Sequence, residues 1–80
     1  MNLDQAPLSA VMRVARVRVL AGQEAQARQL EEIGFLPGEP VCVMSRGWWG
    51  GDPLAVRVGL STFALRREEA ACIELEDPHA

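Results

Sequence analysis

The sequence predicts a mainly β fold, a small barrel of about five to six strands with one or two short helices. Three observations carry this. Apolar and polar residues alternate in several short stretches, the period of a half-buried strand. Glycine- and proline-rich turns separate those stretches. At eighty residues the chain makes a single domain, and in so small a sheet closure removes edges that would otherwise lie open.

Residues 1–7 are expected as a flexible lead-in, 8–76 as the domain and 77–80 as a tail. In "ARVRV", Ala15, Val17 and Val19 share one face of a strand and Arg16 and Arg18 the other; Gly22 closes it. "QEAQARQLEEIGF" changes to the helical period, with Ala27, Leu30 and Ile33 as a narrow apolar stripe. Glu24 is placed to pair with Arg28 at i,i+4. Gly34 sits where a helix ends on a residue of positive φ. One narrow stripe suits a helix lying against a sheet.

Pro37 and Gly38 fit the central positions of a type II turn, and Pro40 can open a strand but not donate within one. In "VCVMS", Val41 and Val43 point one way and Cys42 and Met44 the other. "RGWWGGDP" reads as a loop. Its adjacent tryptophans cannot both face inward, because successive side chains of an extended segment diverge. Leu54, Val56, Val58 and Leu60 then line one face, opposite Ala55, Arg57 and Gly59. After a turn around Gly59–Thr62, Phe63 and Leu65 repeat the pattern. Arg66 to Ala71 is a helical corner. "CIELE" closes the fold with Ile73 and Leu75 inward and Glu74 and Glu76 outward.

The composition narrows the function. Eleven acidic residues against eight basic ones, all arginine, give a net charge of −3. That balance lacks the basic footprint of a nucleic-acid binder, and Arg13, Arg16 and Arg18 read as a solvated strand face. No stretch reaches the ~18 uncharged apolar residues of a membrane span, and the N-terminus does not resemble a secretion signal. A cytoplasmic location is expected, with Cys42 and Cys72 as buried thiols.

No enzyme is expected. The only histidine, His79, is the penultimate residue, so no Ser-His-Asp or Cys-His arrangement can be oriented. Without lysine there is no phosphate-binding P-loop. Glu31 with Glu32, and Glu68 with Glu69, are sequence neighbours that face different directions. Glu74, Glu76, Asp77 and His79, with Cys42, are weak metal-ligand candidates; carboxylate and imidazole suit Fe2+ or Zn2+. No pair has a strong ligand spacing, so no cofactor is required and any divalent metal would be held weakly.

From Arg28 to Glu76 the chain resembles the FeoA family, small cytosolic proteins encoded with the ferrous iron transporter FeoB. The motifs, in order, are Ile33-Gly34-Phe35, Pro37-Gly38, Val41-Cys42-Val43, Gly51-Asp52-Pro53 and Ala64-Leu65-Arg66-Arg67-Glu68-Glu69-Ala70. The resemblance implies an SH3-like β-barrel. It also implies a non-enzymatic accessory or regulatory module that docks to the cytosolic part of FeoB, and hence a peripheral place at the inner membrane. The loop carrying Trp48 and Trp49 is bulkier than the family's usual one, and at least one of them is expected, with Leu36, to contribute to a partner-facing surface. The alternatives are a direct Fe2+ or other divalent-metal sensor or delivery protein, and a self-associating module such as a homodimer.

Overall fold

A computed structural model describes residues 1–48 and 50–76. The elements are β1 (Val11–Val17), α1 (Glu24–Glu32), β2 (Pro40–Gly47), β3 (Gly51–Val58), β4 (Ser61–Leu65), α2 (Arg67–Ala71) and β5 (Ile73–Leu75). All five strands pair antiparallel in one sheet, in the order β4-β3-β2-β1-β5. The mainly β fold with two short helices is as expected.

The barrel does not close by hydrogen bonds, since β4 and β5 are both edges of the sheet. The short helix α2 links one edge to the other, and its Ala70 is fully buried. Packing therefore takes the place of a fifth, closing strand pairing. One core joins Leu3, Val14, Leu30, Phe35, Val41, Val43, Leu54, Val56, Ile73 and Leu75.

Most elements follow directly from their residues. Ala27 and Leu30 are the buried side of α1, and Gly34 ends it at φ +121°. Gly38, at φ +88°, occupies the type II position of a turn in which Glu39 N–H donates to Leu36 O at 3.0 Å. Val41 and Val43 on β2, Leu54, Val56 and Val58 on β3, and Ile73 and Leu75 on β5 all face the core.

Other expectations are corrected. Residues 1–7 are not a loose lead-in: Leu3–Gln5 forms a 3-10 turn, Leu3 is 0% exposed, and Ala6 is buried. The turn packs against α2, and Arg46 Nη2 donates to Ala6 O at 2.7 Å. The first strand starts four residues earlier, at Val11, and stops before Val19, which is exposed. Its register slips between Val14 and Arg16, a bulge that shifts the alternation, so that Val14 rather than Ala15 is the buried residue. Most of "RGWWGGDP" is strand, because β2 runs to Gly47 and β3 begins at Gly51. Leu60 is 98% exposed: it sits in a two-residue hairpin turn with Gly59 at φ +58°, where II′ turns need glycine. Glu24 makes no ion pair with Arg28; its carboxylate accepts Gly22 N–H at 3.3 Å instead.

Candidate functional site

The β2–β3 hairpin tip carries the most exposed large side chain. Gly47 pairs with Gly51 across the hairpin, with Trp48 and Gly50 in the turn. Gly50 and Gly51 take φ of +65° and +86°. Gly47 is needed for a different reason: a Cβ there would fall onto the Asp52 carbonyl and within 2.8 Å of Pro53 N. The tip is also tied to α2, since Arg67 donates from Nη1 to Gly50 O and from its backbone N–H to Asp52 Oδ1, both at 3.1 Å. On this braced turn Trp48 is 100% exposed. Trp49 lies outside the described residues.

Leu36, the other expected contact, is half exposed in the Leu36–Glu39 turn. That turn precedes Pro40, at the opposite end of β2 from Trp48. The eight residues of β2, Pro40–Gly47, separate that turn from Trp48, a path of about 26 Å. The structure thus does not bring Leu36 and Trp48 together.

Three further apolar side chains are exposed along and beside β2. Leu8 bridges to Val43, and Val11 pairs with Cys42. Leu8, Val11 and Met44 are all exposed, Val11 at 73%. Of these, Met44 lies about 13 Å along β2 from the Trp48 tip. The available signal was an apolar residue at an outward position of a strand, as at Met44.

The metal candidates are not assembled among the described residues. Glu74 is held by arginine: Arg16 Nε lies 2.9 Å and Arg18 Nε 3.9 Å from its Oε2. Cys42 pairs with Val11 while Glu74 pairs with Arg16, so five residues of β1 separate their positions. Glu76 is exposed; Asp77 and His79 lie outside the described residues. Among the described residues no three His, Cys, Asp or Glu side chains are grouped to hold a metal ion.

Arg13 and Arg16 of β1, and Arg18 just beyond it, are exposed as expected and also act as braces. Arg13 Nη1 donates to Gly38 O at 2.8 Å, and Arg18 Nη2 to Ala71 O at 3.1 Å. The hydrogen bond from Arg16, aided by the Arg16 and Arg18 charges, holds the Glu74 carboxyl below its ordinary range. A lowered carboxylate stabilises the fold above its unfolded-state value and loses that contribution as pH falls through the folded-state value. The brace should therefore be intact at neutral pH and fade in acid, as pH falls past the ordinary glutamate range toward the lowered folded-state value. Urea midpoints followed from pH 7 to pH 3 should fall less steeply in Glu74→Gln than in the natural chain; parallel curves would contradict this.

In the second carboxylate pair Glu69 serves structure as well. Glu69 Oε1 accepts Arg66 N–H at 2.9 Å and so caps the start of α2. Asp52, Pro53, Arg66 and Glu68 line an open hollow of about 390 Å³, where Asp52 already accepts the Arg67 backbone N–H. No helix among the described residues is long and apolar enough to cross a membrane.

Comparison with known proteins gives a consistent picture. The FeoA domain family matches residues 1–77. The crystal structure of Stenotrophomonas maltophilia FeoA complexed with zinc is 41% identical, with a TM-score of 0.86 over 95% of this chain and 89% of that one. It is described as a procaryotic SH3 domain protein and proposed there as a ferrous iron transport activating factor. Iron(II) transport protein A from Clostridium thermocellum is 28% identical, with a TM-score of 0.81 over 99% of this chain and 46% of that one. FeoA from Chlorobium tepidum is 25% identical, with a TM-score of 0.79 over 99% and 76% of the two chains. A comparison with curated proteins gave no match.

Proposed function

The chain belongs to the FeoA family, which is associated with ferrous iron transport, and on that premise we propose that it is a non-enzymatic accessory module of iron uptake. It acts in the cytoplasm by docking to the cytosolic part of FeoB. The observation that carries the docking mode is Trp48, fully exposed on a turn fixed by Gly47 and by the Arg67 contacts. An exposed tryptophan on a braced turn has only two side-chain torsions to order on binding and is favoured among interface hot spots.

A second reading is direct metal binding, favoured by the zinc complex of the Stenotrophomonas relative. The described residues do not fit it, because Glu74 is engaged by arginine and Cys42 stands apart. Iron is then cargo of the transporter rather than a resident of this domain.

The test is titration of the purified chain into the soluble G-domain of its own FeoB, in metal-free buffer and with ferrous iron, with and without nucleotide. Saturable binding is expected without metal, and Trp48→Ala should weaken it at least tenfold, the loss of about 1.4 kcal/mol typical of a hot spot. The urea midpoint of Trp48→Ala should not change, since an exposed side chain contributes little to folding. Absence of binding under every condition would sink the G-domain as partner. Saturable heat from ferrous iron or zinc and the chain alone would favour the metal-binding reading.

A further inference from the structure

The two edges of the sheet are finished differently. β5 is three residues long and covered: Asn2 bridges Glu74, and Leu75 N–H donates to Met1 O at 2.9 Å. β4 is left open. Its sequence, Ser61-Thr62-Phe63-Ala64-Leu65, has neither a charge nor a proline, the usual devices that protect an edge. Val58 and Ser61 flank a two-residue turn and so form a hydrogen-bonded pair, as do Val56 with Phe63 and Leu54 with Leu65. Thr62 and Ala64 therefore turn their N–H and C=O away from β3. Among the described residues no backbone group of another element bonds to them, and both residues are exposed.

We infer that β4 is a self-pairing edge, which joins a second copy of this chain through an antiparallel β4–β4 ladder centred on Phe63. A two-fold axis at Phe63 sets Thr62 opposite Ala64 of the other copy, and Ala64 opposite Thr62. Each of those pairs exchanges two hydrogen bonds, so all four outward groups of each β4 are satisfied at once. No like charges face each other along the strand. The same register sets Leu60, otherwise 98% exposed, opposite Arg66 of the second copy, whose aliphatic stem can cover it. A single five-residue strand pairing falls short of the ~1,200 Å² of a standard interface, so the association is weak and shows from about 100 µM upward.

The test is sedimentation equilibrium of the full chain from 10 µM to 1 mM, with two double variants. The natural chain should rise from 8.7 kDa toward twice that mass. T62E/A64E sets like charges opposite one another in both pairs and should stay monomeric. T62E/A64K sets opposite charges there and should associate at least as strongly as the natural chain. Thr62 pairs with Arg57 on β3, so the carboxylate that Thr62→Glu introduces in both variants meets a cation and the hairpin itself is not penalised; circular dichroism checks the fold. A natural chain that stays monomeric at 1 mM would overturn the proposal. So would a like-charge variant that dimerises normally, or a folded opposite-charge variant that does not associate.

Discussion

Leu3→Ala is expected to destabilise the fold by about 3 kcal/mol, within the range for emptying a buried leucine site. Leu3 is 0% exposed and lies among the largest fully buried side chains. It packs with the 3-10 turn against α2, on the path by which the chain passes from β4 to β5. A domain this small has roughly 5–10 kcal/mol of stability in total, so the loss takes a large share of it. Leu60→Ala is the control. Its side chain is almost wholly in water in the single chain, and its truncation should leave stability within about 0.5 kcal/mol. Urea denaturation at low micromolar concentration, where the chain is monomeric, measures both. Equal midpoints for the two variants would contradict the burial assigned to Leu3.

Gly47→Ala should cost about as much, for the opposite reason: it adds an atom where there is no room. The new Cβ meets backbone, namely the Asp52 carbonyl and Pro53 N, and backbone cannot swing aside as a side-chain end can. Overpacking of this kind costs about 1–3 kcal/mol, and the upper end applies here because both obstacles are main chain. Gly50→Ala is the comparison. Its Cβ would meet nothing within 4 Å, so only the left-handed conformation at φ +65° is penalised, by about 1–2 kcal/mol. Gly47→Ala should also weaken partner binding, because relieving the clash displaces the turn that presents Trp48. A Gly47→Ala variant with the natural midpoint would show that the hairpin relaxes freely.

Much of the fold was legible wherever a simple period runs unbroken. Val41 and Val43, Leu54 to Val58, and Ile73 with Leu75 alternate cleanly and are buried as read. The stripe of Ala27 and Leu30 ending at Gly34 gave α1. What escaped has local physical causes. Leu3 is a lone apolar residue in a three-residue turn, too short for any period. The bulge after Val14 breaks the alternation of β1, so reading from Ala15 put the wrong residues inside. Leu60 continues an apparent alternation through a turn that the chain takes at Gly59. At the candidate site, the divergence of adjacent tryptophans pointed correctly to exposure at the loop. That Leu36 and Trp48 lie at opposite ends of β2 depends on strand direction, which composition does not record. The Arg16–Glu74 contact spans 58 positions, and no local pattern announces it.

That long-range pairing bears on how the chain folds as it is made. β2, β3 and β4 form consecutive hairpins, so each strand meets its neighbour within a few residues of synthesis. The end of β1 has a different fate: Arg16 and Val17 pair with Glu74 and Ile73, and Asn2 also bridges to Glu74. An early segment must therefore wait, unpaired, until nearly the whole sequence has been translated. Non-local pairing of this kind slows folding, because the loop must be closed before its contacts contribute. The hairpins can assemble on the ribosome, and the domain becomes protease-resistant only once β5 has docked between β1 and the N-terminal turn.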